Sequence, residues 1–289
     1  MAPRKIILSA DSTCDLGEEL KARYDVHYYP FHIIFRGQSY QDNVDIRPEQ
    51  IFAGYYEDGS LPKTSAINVQ EYLDYFGPFV EAGYDVVHFN LGAALSSAHE
   101  HALEAARRLG HVYPIDSQSL STGIGQQVIR AGRLIEQGLP VEEVVARAEE
   151  LRGHVHASFV IDTMDFLAAG GRCPQLLAHV GKLLSCKPEI LVSNADGSMG
   201  MGKLYRGKLQ RVLPRYVEAT LDRYPDIVCD DVFITHSGIS GELVGLVRET
   251  LERRLSVERI HVTQASCTIS AHCGPNTLGI LFVTESACK

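Results

Sequence analysis

The chain has 289 residues, 45% of them hydrophobic and 22% charged, with a formal net charge of −9. That length suggests two domains, or one large one, with material for a sizeable core. No apolar run approaches a membrane span, and the acidic balance argues against a nucleic-acid partner, while a small anionic ligand stays open because a local field can oppose the net charge.

The opening Met1-Ala2-Pro3-Arg4-Lys5 runs directly into Ile6-Ile7-Leu8, too short for a signal-peptide core, so a cytoplasmic location without a stable membrane anchor is expected. Residues 5–10 read as a strand ending in Asp11-Ser12-Thr13, followed by a helix over 17–24 and a strand over 26–35. A loop at Asp42-Asn43-Val44-Asp45 leads to Arg47-Pro48-Glu49, a helix start with proline at its first position. Asn68 caps an amphipathic helix reaching Phe79. Then come a buried strand over 85–90, an alanine-rich helix over 96–109, a strand over 112–115 ending at Asp116-Ser117, and helices over 121–137 and 141–152 separated by Gly138-Leu139-Pro140. Strands alternating with helices imply a mostly parallel sheet.

After His154 the pattern changes. A strand over 157–161 precedes the helical Phe166-Leu167-Ala168-Ala169, which runs into Gly170-Gly171-Arg172. Lys187 to Val192 and Met199 to Leu204 flank Asn194-Ala195-Asp196-Gly197, a hairpin signal. Helices over 211–224 and 242–255 and strands over 231–236, 259–264 and 278–284 complete the pattern. The expected fold is α/β with two domains: an N-terminal parallel sheet flanked by helices over 1–156, and a C-terminal α+β domain with a hairpin over 157–289.

Several features carry chemistry. Small hydroxylated residues recur at strand ends, in Asp11-Ser12-Thr13, Lys63-Thr64-Ser65, Leu95-Ser96-Ser97 and Asp116-Ser117. Each is a good helix cap taken alone, and several converging on one rim would make an anion-binding pocket. Arg172 after two glycines reads as a helix end or as a clamp for a carboxylate or phosphate. His272, before Gly274-Pro275, reads as lying on a constrained loop. Gly123-Ile124-Gly125 lacks the third glycine of a dinucleotide fingerprint, and no serine sits in a nucleophile elbow. Seven irregularly spaced cysteines without a CxxC pair read as free thiols, and no metal-ligand spacing is present.

In order and spacing, Asp11-Ser12-Thr13-Cys14-Asp15-Leu16, Pro62-Lys63-Thr64-Ser65, Leu95-Ser96, Asp116-Ser117 with Ser121, and Leu167 to Arg172 resemble the DegV family of FakB-type proteins. So do Gly181 to Pro188, Asp196-Gly197, Arg206-Gly207-Lys208 and His272 with Gly274-Pro275. The resemblance covers nearly the whole chain. It implies a lipid-binding protein that is not itself an enzyme and needs no cofactor. One long-chain fatty acid would lie buried between the two domains, its carboxylate presented to a separate fatty acid kinase that forms an acyl phosphate for phospholipid synthesis. By that resemblance Thr64 and Ser96 hydrogen-bond the carboxylate with Ser65 nearby, Arg172 and His272 frame the head-group site, and Arg206 lies where the family meets its kinase. The chain departs from the family pattern at Ala66, Gly92, Ala93, Ser97, Ala98, Cys273 and Asn276. A buried carboxylate needs a positive partner, so Arg172 or a protonated His272 is expected beside it. Two other readings stand beside this one: a binder of another anionic small molecule, and a serine hydrolase using Ser96, His272 and Asp11.

Overall fold

The computed structural model of the chain describes residues 4–173 and 186–287. The first half runs β1 (Ile6–Asp11), α1 (Gly17–Arg23), β2 (His27–Tyr29), β3 (His32–Phe35), β4 (Gln38–Gln41), α2 (Pro48–Asp58), β5 (Lys63–Ser65), α3 (Val69–Glu81), β6 (Asp85–Asn90), α4 (Ala98–Leu109), β7 (Val112–Asp116), α5 (Thr122–Glu136) and α6 (Val141–Leu151). The second half adds β8 (Val155–Val160), α7 (Asp165–Gly170), β9 (Cys186–Val192), β10 (Met199–Arg206), α8 (Leu209–Arg223), β11 (Ile227–Ser237), α9 (Gly241–Arg254), β12 (Arg259–Gln264), α10 (Cys267–Cys273) and β13 (Thr277–Thr284).

These strands form a four-stranded parallel sheet, β2-β1-β6-β7, a six-stranded mixed sheet, β10-β9-β8-β13-β11-β12, and a three-stranded antiparallel sheet, β4-β3-β5. The mixed α/β class expected from the sequence is the one observed. The single strand expected over 26–35 is two. Pro30 cannot donate to a ladder, and the chain leaves the parallel sheet there: His27–Tyr29 pairs with β1, and His32–Phe35 pairs antiparallel with β4 and β5. The hairpin from β3 to β4 turns through Arg36 and Gly37, both at positive φ (50° and 77°), as a two-residue connection with the strands' twist requires. The short, polar β4 and β5 carried no sequence signal.

The six-stranded sheet is buried on both faces. Val232, Ile234, Leu278, Ile280 and Phe282 pack against α8 and α9. Phe159, Phe233 and Leu281 join the core that contains the parallel sheet. Between the sheets lies α5, touching β1 and β6 on one side and β8, β11 and β13 on the other. Its two central glutamines are wholly buried and tied to backbone carbonyls: Gln126 Nε2 donates to that of Asp231 at 2.8 Å, and Gln127 Nε2 to that of Ser117 at 2.8 Å. Arg130 and Arg133, one turn on, pair with Asp230 and Asp231 of β11. The two glycines of Gly123-Ile124-Gly125 serve close packing. A Cβ at Gly125 would lie 2.8 Å from Leu16 Cδ2, and one at Gly123 would lie 2.1 Å from Ser119 Oγ.

Gly125→Val should therefore cost about 2 kcal/mol through overpacking between α5 and the Cys14–Leu16 segment. Gly77→Ala in α3, where a Cβ meets nothing within 4 Å, should instead raise stability by about 0.5 kcal/mol. Urea unfolding of both variants checks the opposed signs, and a stabilised Gly125→Val would refute the packing argument.

Candidate functional site

Beyond the N-terminus of α5 the space between the sheets continues as a cavity of about 280 Å³. Leu91, Leu95 and Leu120 wall it from the parallel-sheet side, at the carboxyl ends of the strands, and Phe159 and Leu281 from the six-stranded sheet. Phe31, Leu167, Met199 and Ile269 add further apolar surface. Gly279 of β13 also lines the cavity. A Cβ there would lie 2.5 Å from the Ser158 carbonyl oxygen, so glycine is what lets β13 and β8 approach at that point.

Thr64, Ser65, Ser96, Arg172 and His272, separated in sequence, all line this one cavity. Thr64 is brought in by β5 of the small sheet, and its Oγ1 lies 2.9 Å from His272 Nε2. Ser96 precedes α4. Its Oγ accepts from the Ala98 N–H at 3.2 Å, and the positive end of a 12-residue helix is directed at the same place. Arg172 follows α7. Gly171, at φ 66°, caps that helix, and the guanidinium is held by the carbonyls of Gly170 (Nη1, 2.7 Å) and Leu95 (Nε, 3.4 Å). The helix-end reading of this turn is thus realised, with Arg172 lining the cavity beyond it. Gly170 has a separate reason to be glycine: a Cβ there would lie 2.2 Å from His272 Nδ1.

His272 sits in the last turn of α10, where the sequence suggested a loop. Seven residues with a Ser266 cap are too short to show a helical period. Burial, with the Arg172 charge acting in the same direction, pushes its imidazole down to about 4. It is neutral at neutral pH, so of the two expected positive partners only Arg172 carries charge. Arg206 lies apart, exposed at the end of β10 opposite Cys186. Of the motif from Gly181 to Pro188, residues 181–185 lie outside the described residues.

The other strand-end polar groups build walls. Asp11 is fully buried and accepts from the Tyr72 hydroxyl at 2.7 Å, the Leu91 N–H at 2.8 Å and His88 Nε2 at 3.0 Å, which fixes the start of the loop carrying Leu95 and Ser96. Asp116 accepts from the N–H groups of Ala93 and Gln118. Asp15 and Asp42, given no role in the sequence reading, fasten the front of α10. Asp15 accepts from the Ser121 hydroxyl (2.6 Å) and the Ser266 N–H (2.9 Å), and Asp42 from the Ser12 hydroxyl (2.8 Å) and the Cys267 N–H (2.7 Å). Burial pushes both carboxyls up, Asp15 to about 8, with the nearby Asp42 acting on Asp15 in the same direction.

A hydrolase triad is not assembled. Among the described residues no hydrogen bond joins Ser96 to His272, no carboxylate orients His272, and Asp11 is paired with His88 instead. The Cys273 thiol lining the cavity is pushed up to about 12 by burial, which keeps it protonated and unreactive.

Fold and site define a mixed α/β protein with a cleft between two sheets, walled by apolar side chains and by polar ones that include Thr64, Ser96 and His272 as well as Ser158, Thr235 and Thr268. A family model described as "Uncharacterised protein, DegV family" matches residues 5–285, and the chain belongs to the DegV family. A DegV domain-containing protein of Clostridium perfringens is 26% identical over 284 residues, covering 97% of this chain and 99% of its own. A solved DegV family protein from Thermus thermophilus, described as fatty acid binding, matches with TM-score 0.89 at 28% identity over 97% of this chain and 99% of that one. A stearic acid-binding protein from Eubacterium ventriosum matches with TM-score 0.81 at 26% identity over 98% of each chain.

The raised carboxyl of Asp15 gives a pH dependence of definite sign. In the folded chain it holds its proton up to about pH 8, whereas an unfolded aspartate releases it near 4. Its contribution to stability is present below the unfolded value and is lost as pH rises toward 8. Asp15→Asn keeps a neutral acceptor at that position, so its unfolding free energy should decline less between pH 5 and 8 than that of the parent. Parallel profiles for the two proteins would show that Asp15 is already ionised in the folded state.

Proposed function

We propose that this protein is a fatty acid carrier: it holds one long-chain fatty acid in the cavity between its two domains, 1–156 and 157–289, with the carboxylate at Thr64, Ser65, Ser96, Arg172 and His272. The observation that carries this reading is a cleft whose apolar walls, formed by Leu91, Leu95, Leu120, Phe159 and Leu281, enclose Thr64, Ser96 and His272 together with Arg172, the one Lys or Arg lining it among the described residues. Burying an acyl chain yields about 0.8 kcal/mol per CH₂, so chain length supplies affinity and a few polar groups suffice to orient the head. The fatty acid and stearic acid binding stated for the two solved relatives supports the same ligand class.

The protein has no chemistry of its own on this reading. A separate fatty acid kinase, in the cytoplasm, phosphorylates the presented carboxylate, and the acyl phosphate feeds phospholipid synthesis. A partner surface around Arg206 is supported by charge. From Gly197 to Val217 the chain contains Lys203, Arg206, Lys208, Arg211 and Arg215 and no acidic residue, in a protein of net charge −9. Among the described residues none of these five forms an ion pair, whereas Arg223, just beyond, is paired with Glu189. An unpaired basic stretch suits an acidic partner face.

Native mass spectrometry of the purified protein, followed by extraction, tests the carrier reading: the expected result is an increment of one long-chain fatty acid. A bare protein mass with no uptake of added fatty acid would overturn it. Arg172→Ala should weaken retention about ten-fold by removing a charged hydrogen-bond partner. Arg206→Ala should bind fatty acid normally yet be a poorer substrate for a cognate fatty acid kinase, and equal turnover of the two proteins would place the partner surface elsewhere.

A further inference from the structure

Strand β10 changes face part-way along. Side chains alternate across a sheet, so Met199, Met201 and Tyr205 would all share one face of a regular strand. They do not. Met199 and Met201 belong with Phe159 and Leu281 to the core on the cavity face, whereas Tyr205 is buried with Val212 and Tyr216 on the face that carries α8. The switch lies where the ladder to β9 skips. Met201 is opposite Ile190 and Leu204 opposite Pro188, so Gly202 and Lys203 together oppose Glu189 alone. Such a β-bulge slips the strand by one residue and turns every later side chain over. Lys203 and Tyr205 thus come to the α8 face, the ammonium of one 5.5 Å from the ring centre of the other. Leu204 and Arg206 come to the cavity face.

Glu189 is wholly buried and is opposite Val160, which packs on the α8 side. Its carboxylate accepts from the N–H of Lys203 in the bulge at 2.9 Å, and from both terminal nitrogens of Arg223, in the last turn of α8, at 3.1 and 3.3 Å. A buried carboxylate is costly unless it is paired and hydrogen-bonded, and this one is paired by Arg223 and used to hold the bulge. Gly202 completes the arrangement, since a Cβ there would lie 2.8 Å from Glu189 Oε2. We infer that Glu189, held by Arg223, is a positioning residue for the partner surface: by fixing the bulge it sets Arg206 on the cavity face of the six-stranded sheet and not on the α8 face. It acts through the backbone of β10 and needs no contact with the partner, whose acidic groups would meet Arg206 itself.

The partner in this inference rests on the kinase reading, but the bulge does not, and the experiment separates the two. In the full-length protein, hydrogen exchange at the Lys203 amide should be about ten-fold faster in Glu189→Leu than in the parent, the worth of one hydrogen bond to a charged group. Glu189→Gln, whose amide oxygen still accepts, should stay close to the parent. Equal exchange in the parent and Glu189→Leu overturns the inference whatever the partner. The second arm follows phosphorylation of protein-bound oleate by a fatty acid kinase from the same cell. Glu189→Leu should bind oleate as the parent does and be turned over as slowly as Arg206→Ala, with no further loss in the double variant, because both changes remove one contact. Glu189→Gln should recover most of that loss, and Gly202→Val, with no room beside Glu189, should repeat it. Parent turnover in Glu189→Leu, or losses that add in the double variant, refutes the positioning role. If Arg206→Ala is itself turned over like the parent, the partner reading falls and the positioning role with it, while exchange at Lys203 still decides whether Glu189 holds the bulge.

Discussion

The separation of the two sheets depends on α5. Packed directly, two sheets stand about 10 Å apart and leave room for their own side chains only. A helix with side chains is about 10 Å across, so inserting one holds the sheets well beyond that distance. The chain makes this arrangement stable by burying most of the helix from Thr122 to Gly132, placing glycine where Leu16, Ser119 and Tyr24 come closest, and tying the amide nitrogens of Gln126 and Gln127 to backbone carbonyls of both halves. Arg130 and Arg133 then tie the far end to Asp230 and Asp231. Leu120 and Ser121, immediately before the helix, are already cavity wall. The cavity is thus the continuation of the gap that α5 fills.

The polar cluster is assembled from segments with little else in common: the small antiparallel sheet, the loop before α4, the turn after α7, and α10. The loop and α10 are each anchored by buried carboxyl groups that do not line the cavity. Asp11 holds the first residue of the loop, and Asp15 and Asp42 hold the first turn of α10. Holding α10 by carboxyls that are costly to ionise, instead of by a fully charged pair, keeps negative charge low behind the place where a carboxylate is proposed to bind. Arg172 reaches in from the rim, fixed by the Gly170 and Leu95 carbonyls, and among the described residues no acid pairs with it.

Much of this was legible in the sequence. The parallel sheet followed from its alternating strands and helices. The proline start of α2, the Asn68 cap and the Asp196-Gly197 turn were visible as local chemistry. The polar cluster was legible only through a family pattern, because Thr64, Ser96, Arg172 and His272 are joined by tertiary contacts that no periodicity records. Three things were hidden for identifiable reasons. β13 is buried on both faces over its whole length, so alternation could not show that Leu281 faces the cavity side and Ile280 does not. Asp42 reads as a turn residue until α10 is laid against it. The break at Pro30 sits inside a continuous β-rich run, where composition favours one long strand over two short ones in different sheets.

The arrangement that suits holding also disfavours chemistry at the same place. A general base needs its pKa near the working pH and a group to orient it, whereas His272 is pushed down to about 4 and its second nitrogen faces a glycine. A nucleophile needs a base, whereas the Ser96 oxygen accepts from the Ala98 N–H at the mouth of α4. The cavity thiol of Cys273 is held protonated. Affinity in such a cleft comes from apolar length, and polar groups need only fix which end of the guest lies where.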